Sequence, residues 1–221
     1  MPEVQKITAW SYSRYSSYEQ CPFKTKLTTI DKLKEPQNDA LAKGVAVHSE
    51  IERYLKLPNE SLPQSAIKLC ADLEELKAKK PFSELEVAFS KAWLPVDWFA
   101  KDAWVRIKID ALVKDGSYCH VIDFKTGRVR DSYEPQLELY ALTALLMFPT
   151  INAVDTSLFF LDAGRIITGQ QYTRNDLEML KARWTDRVTP MLEDVEFKAT
   201  PNQYCKSCHF RKSNAGICQA S

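Results

Sequence analysis

The sequence predicts one domain of mixed class, α/β or α+β, and three observations carry that prediction. Helical and extended patterns follow one another in blocks along the chain. Two alternating apolar segments flank a polar turn, Lys114-Asp115-Gly116-Ser117, as the arms of a β-hairpin would. The 221 residues have an ordinary globular composition, 45% hydrophobic and 27% charged, and suffice to bury a real core.

The elements follow in order. A short helix over 11–21 is capped by Ser11 or Ser13 and stopped at Pro22. A second helix runs from about Asp39 to Leu57, and a third from about Pro63 to Lys79, ending at Lys80-Pro81. Strands are expected near 83–93, 103–114 and 117–125, then a crossover helix near 134–148 stopped by Pro149. Further strands near 154–162 and 165–172 are split by the turn Asp162-Ala163-Gly164, and an amphipathic helix covers 174–194. The tail from Glu196 lacks periodicity and holds three of the six cysteines. No internal repeat or interdomain linker interrupts this series, so residues 1–221 read as a single domain.

The net charge of +1 gives no whole-protein positive field, which argues against a DNA-coating role and leaves room for a local basic groove. There is no apolar run of the roughly 18 residues that a membrane span needs, and Met1-Pro2-Glu3-Val4-Gln5-Lys6 does not resemble a signal peptide. A reducing cytoplasmic setting with no membrane partner is the expectation.

The chemistry concentrates in the hairpin. Asp110 sits in its first arm and Asp123-Phe124-Lys125-Thr126-Gly127 closes its second. Residues i and i+2 of a strand face one side, so Asp123 and Lys125 point into one site. Two carboxylates held close resist joint ionisation unless a cation lies between them, so the pair plus a lysine suggests a divalent metal and an activated water. Three further features fit that site. His48 ends Gly44-Val45-Ala46-Val47-His48 on the second helix and offers an imidazole ligand, the competing reading being a satisfied core or surface histidine. Glu86 in the first strand offers another carboxylate, though an exposed strand position explains it equally well. Gln136 and Tyr140, i and i+4 on the crossover helix, share a face and can reach a phosphate, a base or Lys125.

Cys205-Lys206-Ser207-Cys208 is a C-x2-C, with Cys218 following after nine intervening residues and Cys21 far away in sequence. Four thiolates suit tetrahedral zinc, in which His209 can replace one sulfur, or a [4Fe–4S] cluster. A disulfide framework is disfavoured in a reducing cell. Cys70 and Cys119 fit apolar faces of a helix and a strand, and His120 belongs to the hairpin.

The order Gly-x-x-x-His, Asp, Asp-x-Lys-Thr-Gly, Gln-x-x-x-Tyr resembles the RecB-like branch of the PD-(D/E)XK nucleases, which includes CRISPR-associated and phage exonucleases. The matching residues are His48, Asp110, Asp123, Lys125, Gln136 and Tyr140, and Ser11 to Pro22 is similar to the usual start of such domains. The resemblance implies a restriction-endonuclease-like core, a central mixed sheet flanked by helices, with the terminal segments 1–22 and 196–221 joined by a four-cysteine metal cluster. It implies Mg²⁺ or Mn²⁺ held by His48, Asp110, Asp123 and the carbonyl of Phe124, and catalytic roles for Lys125, Asp110, Asp123, Gln136 and Tyr140. It also implies that Cys21, Cys205, Cys208 and Cys218 bind a [4Fe–4S] cluster, with structural Zn²⁺ as the alternative. The long Cys208–Cys218 interval departs from the pattern.

The activity so implied is a metal-dependent DNA exonuclease in recombination, repair or end processing, acting on single-stranded regions or free ends. It would work in the cytoplasm, or a host cytoplasm if phage-encoded, with a helicase, recombinase or CRISPR-associated partner or as a homo-oligomer. Arg128 and Arg130 follow the Lys-Thr-Gly turn closely enough to meet phosphates, and Arg14, Tyr15 and Tyr18 on the first helix either guide a single strand by stacking or pack. The alternative is a non-catalytic nucleic-acid-binding or assembly module with the same fold and cysteine clamp. No G-x-x-x-x-G-K-[ST] phosphate loop is present, so unwinding would need a partner.

Overall fold

A computed structural model describes residues 6–36, 39–127 and 133–220. The chain divides into two compact units. One comprises the described residues of Met1–Gln37 and Arg183–Ser221, the other those of Asn38–Ala182. Among the described residues, no helix is long and apolar enough to cross a membrane.

In the first unit, α1 (Tyr12–Gln20) starts where Ser11 accepts the Arg14 amide and stops at Cys21, which turns extended. Pro22 then opens α2 (Pro22–Thr29), a helix the sequence reading missed. Its run of Thr and Lys offers little apolar periodicity, and proline at a first helical turn is the signal that marks it. Tyr15 meets the Trp184 ring edge-on at 5.5 Å, and Trp184 stacks on Trp10 at 5.5 Å. The Tyr18 hydroxyl donates to Asp194 (2.8 Å) and Arg14 donates to the Ala9 carbonyl. These side chains therefore serve packing within the unit.

The second unit carries the sheet. Helix α3 (Asp39–Lys56) buries Val47, Ile51, Tyr54 and Leu55, one stripe at helical spacing. The expected third helix begins as a 3-10 turn (Gln64–Leu69) and continues as α4 (Cys70–Ala78). Strands β1 (Phe82–Phe89), β2 (Pro95–Val96), β3 (Val105–Asp115) and β4 (Tyr118–Lys125) pair antiparallel, with β1 between β2 and β3. The expected strand over 83–93 is shorter because Trp93 adopts φ 58° and turns the chain back, burying its ring against Trp104 and Phe89.

Helix α5 (Glu134–Met147) crosses over to β5 (Ala153–Phe160), which pairs parallel to β4; β6 (Arg165–Thr168) and β7 (Tyr172–Thr173) pair with β5, and α6 (Leu177–Glu193) follows. The sheet order is β2-β1-β3-β4-β5-β6. Every residue of α5 from Leu137 to Leu145 is buried, as expected of a helix covered on all sides. The Arg174 guanidinium caps its end, donating to the carbonyls of Leu145 (2.7 Å), Phe148 (2.6 Å) and Ile151 (2.9 Å). Against the other face, α3 and α4 pack over Ala111, Val113, Ile122, Phe124, Phe159 and Leu161. The mixed sheet with helices is thus the architecture expected.

The four-cysteine cluster is not. All six cysteines are free thiols. Among the described residues, the one set of three or more His, Cys, Asp or Glu groups whose ligand atoms converge within 4.8 Å is His48, Glu84 and Asp110, and it contains no cysteine. Cys21, Cys205, Cys208 and Cys218 border one small cavity without meeting that spacing. Cys21 breaks the chain between α1 and α2, and Cys205 Sγ accepts the Asn202 amide (3.4 Å) inside a 3-10 turn (Gln203–Ser207). Cys208 ends that turn and Cys218 is buried. The expected [4Fe–4S] cluster, and zinc in its place, are corrected accordingly. Cys70 donates to Glu74 (3.2 Å), and burial in β4 pushes the Cys119 thiol up to about 11.

Leu73, fully buried between α3 and the sheet, is the test of this packing. Leu73→Ala should cost about 3 kcal/mol in urea unfolding, with the slope preserved; a loss below about 1 kcal/mol would mean that α4 is not anchored there.

Candidate active site

The site forms where two strands part. The β3–β4 ladder runs from Asp115↔Tyr118 to Ala111↔Ile122. Just past its end, the Phe124 amide donates to Asp110 Oδ2 (2.7 Å), so a side chain takes the place of a backbone acceptor. The strand ends can then diverge without leaving a buried donor unpaired. Asp110 Oδ1 stays available and lies 3.4 Å from His48 Nδ1.

Helix α3 brings His48 to this point through Gly44. A Cβ at Gly44 would meet the Thr126 hydroxyl at 3.3 Å, so the missing side chain lets α3 approach the Lys125-Thr126-Gly127 segment closely. His48 follows four residues later on the same face, and its ring meets Phe124 edge-on at 6.3 Å. Burial acts to lower the His48 pKa, yet the Asp110 carboxylate, aided by Asp123 and Glu84, outweighs it and raises the pKa above the ordinary value.

Asp123 and Lys125 do face one side, toward α5. The Lys125 ammonium lies 2.6 Å from Asp123 Oδ2 and donates to Gln136 Oε1 (2.9 Å). Gln136 Nε2 donates to Asp123 Oδ1 (3.1 Å) and the Tyr140 hydroxyl donates to the same oxygen (3.0 Å). Burial pushes the Asp123 carboxyl up to about 6, with Asp110 adding to the rise, while Lys125 and Tyr140 oppose it. The structure thus gathers Asp123, Lys125, Gln136 and Tyr140 in one network and pairs His48 with Asp110.

The sequence reading missed Glu84. It selected Glu86, which is exposed and lies across from Lys108. Ser83 pairs with Ala111 and Leu85 with Ile109, so Glu84 lies across from Asp110. Glu84 has φ 55°, a left-handed conformation that costs a non-glycine residue of order 1–3 kcal/mol. Its carboxylate joins His48 and Asp110 in the convergent set and pairs with Lys108, whose pKa that contact raises. Strand alternation gives no hint of this, because a left-handed residue breaks the alternation itself.

His48, Glu84, Asp110, Gly44, Lys108 and Thr126 line a cavity of about 450 Å³. One imidazole and two carboxylates suit a hard divalent ion of the Mg²⁺ or Mn²⁺ kind. Asp123 lies outside that convergent set, its oxygens held by Lys125, Gln136 and Tyr140. His120 accepts or donates to Ser157 (2.9 Å), and Arg128 and Arg130 lie outside the described residues. Arg187 lies over the Trp184 ring at 5.0 Å, and Lys181 pairs with Glu178 (2.8 Å).

A family model described as the PD-(D/E)XK nuclease superfamily matches residues 9–107 and 69–213. A crystal structure from Eubacterium rectale, of a protein assigned provisionally as an exonuclease, superposes with a TM-score of 0.54 at 14% identity, covering 91% of this chain and 87% of that one. A phage-related exonuclease from Haemophilus somnus 129PT is more distant, with a TM-score of 0.32 at 14% identity over 86% of this chain and 93% of that one. The first of these likenesses speaks to the fold, and the second is too loose to bear on it. No curated protein matches the chain.

The raised Asp123 pKa is measurable. In metal-free protein, ¹³C NMR should find a carboxyl titrating near pH 6 that is missing from Asp123→Asn. Bound cation favours the ionised form, so added Mg²⁺ should lower that midpoint, and proton competition should weaken Mg²⁺ binding as pH falls through about 6. An ordinary carboxylate midpoint would contradict the burial described.

Proposed function

Because the chain belongs to the PD-(D/E)XK nuclease superfamily, we propose that it is a Mg²⁺- or Mn²⁺-dependent deoxyribonuclease that hydrolyses phosphodiester bonds from DNA ends. The observation that carries this reading is the convergence of His48, Glu84 and Asp110 beside the Asp123–Lys125–Gln136–Tyr140 network.

The assigned roles follow from the donors. His48, Asp110 and Glu84 would hold the cation, and Asp123 and the Phe124 carbonyl would be its further ligands. The bound ion supplies Lewis-acid polarisation of the phosphate and a more acidic water. Lys125 is the group that meets the reacting phosphate. Its ammonium is fixed by Asp123 and Gln136 before substrate arrives, so it stabilises developing negative charge without reorganising. Gln136 and Tyr140 orient the Asp123 carboxylate by filling its second oxygen. Lys108 neutralises Glu84 in the absence of a cation, and a bound cation would take over that role. Single-stranded regions or free ends are the substrate, and a helicase or recombinase supplies any unwinding.

The test is cleavage of end-labelled single- and double-stranded DNA with Mn²⁺, Mg²⁺ or EDTA. Cutting should need the metal and shorten labelled strands from their ends, and Lys125→Ala should lower it about 10²- to 10³-fold. A folded, metal-loaded wild type that leaves DNA intact would instead favour a non-catalytic nucleic-acid-binding module. Glu84→Gln should separately weaken Mn²⁺ binding about tenfold or more by titration calorimetry. Unchanged affinity there would remove Glu84 from the ligand set.

A further inference from the structure

The two halves of the candidate site come from distant parts of the chain, and one residue outside the cation cavity touches both. β4 runs parallel to β5 as far as Lys125↔Phe160, and the Leu161 amide donates to the Lys125 carbonyl (3.0 Å). β5 then ends in the turn Asp162-Ala163-Gly164, where Gly164 has φ 65°. The Asp162 carboxylate reaches back across this end of the sheet. Its Oδ2 accepts the Gly127 amide (3.0 Å), two residues past Lys125. Both its oxygens accept the Lys43 ammonium (3.1 Å each), one residue before Gly44 on α3. Its own carbonyl accepts the Lys68 ammonium (2.7 Å) from the turn ahead of α4.

These bonds bracket the closest approach in the site. Gly44 of α3 meets the Thr126 hydroxyl between the Lys43 and Gly127 attachments, at a distance that leaves no room for a Cβ without adjustment. Asp162 does not line the cation cavity. Its side chain is 30% exposed and that of Lys43 57%, so the ion pair adds little to folding in water. What the contacts fix is geometry, namely the distance from the His48 helix to the strand end that carries Lys125.

We propose that Asp162 is a positioning residue of the nuclease site. It clamps the Gly44-x-x-x-His48 helix to the Asp123-to-Gly127 strand end, and so sets the spacing between the cation ligands and Lys125. This proposal rests on the nuclease reading for its catalytic consequence, and on the hydrogen bonds above for its structural one.

Asp162→Ala, Asp162→Asn, Lys43→Ala and the double variant Asp162→Ala/Lys43→Ala should be compared with wild type. The measurements are DNA cleavage, Mn²⁺ affinity and hydrogen exchange at the Gly127 amide. Asp162→Ala should lower kcat about ten- to a hundredfold with little change in KM, because a displacement of about 1 Å in a reacting group has that effect. It should also speed exchange at Gly127 and weaken Mn²⁺ binding. Asp162→Asn keeps an acceptor for Gly127 and should restore most of kcat and the slow exchange. Lys43→Ala should cost less than Asp162→Ala and add little to it in the double variant. If wild type cleaves and Asp162→Ala matches its kcat, the proposal is wrong. If wild type does not cleave, the nuclease reading fails instead, and unchanged Mn²⁺ affinity with unchanged Gly127 exchange would overturn the clamp by itself. Should Asp162→Ala not fold, loss of Gly127 protection in folded Asp162→Asn would overturn it equally.

Discussion

The hydrogen bond from the Phe124 amide to the Asp110 carboxylate is the constraint on which the site depends. A sheet that splits between two central strands would leave buried donors without acceptors, a cost comparable to losing each bond outright. Placing a carboxylate at the fork satisfies the donor and brings charge to the point where the strands open. The same group is then structural through one oxygen and chemically available through the other. From that fork the arrangement follows. Asp123 lies on the neighbouring strand end, Lys125 two residues beyond it, and α5 supplies the polar side chains that hold both.

Such a site works against stability. It collects the carboxylates of Asp110 and Asp123 where water is scarce, adds Glu84 beside them, and keeps Glu84 in a left-handed backbone. The raised Asp123 pKa is the electrostatic sign of this tension, as burial and a neighbouring acid both favour its neutral form. Internal cations relieve part of it, Lys125 at Asp123 and Lys108 at Glu84. The rest is offset by packing on both faces, the buried α5 on one and the α3–α4 cluster on the other. Perturbed groups and strained backbone gathered in one cleft mark it as a candidate binding or catalytic site.

The cysteines show how far pattern reading goes. A C-x2-C in a tail with no periodicity invites a metal, because spacing of that kind often serves one. Here that spacing covers the second half of a 3-10 turn, in which Asn202 caps the first amides and the Cys205 sulfur accepts the Asn202 amide in return. Turn formation and ligand presentation share a sequence signature. Only the positions of the sulfurs in space distinguish them.

The sequence by itself determined the succession of most elements, α2 excepted, and most of the network. The hairpin, the crossover helix and the facing pairs Asp123/Lys125 and Gln136/Tyr140 follow from the periods of strand and helix, which are local properties of the backbone. The Gly44-x-x-x-His48 spacing was legible for the same reason. Tertiary structure decided the rest. Glu84 joins His48 and Asp110 because its backbone leaves the strand conformation opposite Asp110, and no periodic rule anticipates a left-handed residue. Asp162 reaches Gly127 and Lys43 because β5 lies parallel to β4 and ends beside it, a register fixed by the sheet. Local periodicity says which way a side chain points, whereas what it meets there depends on strands paired across long stretches of chain, and only the folded sheet sets that.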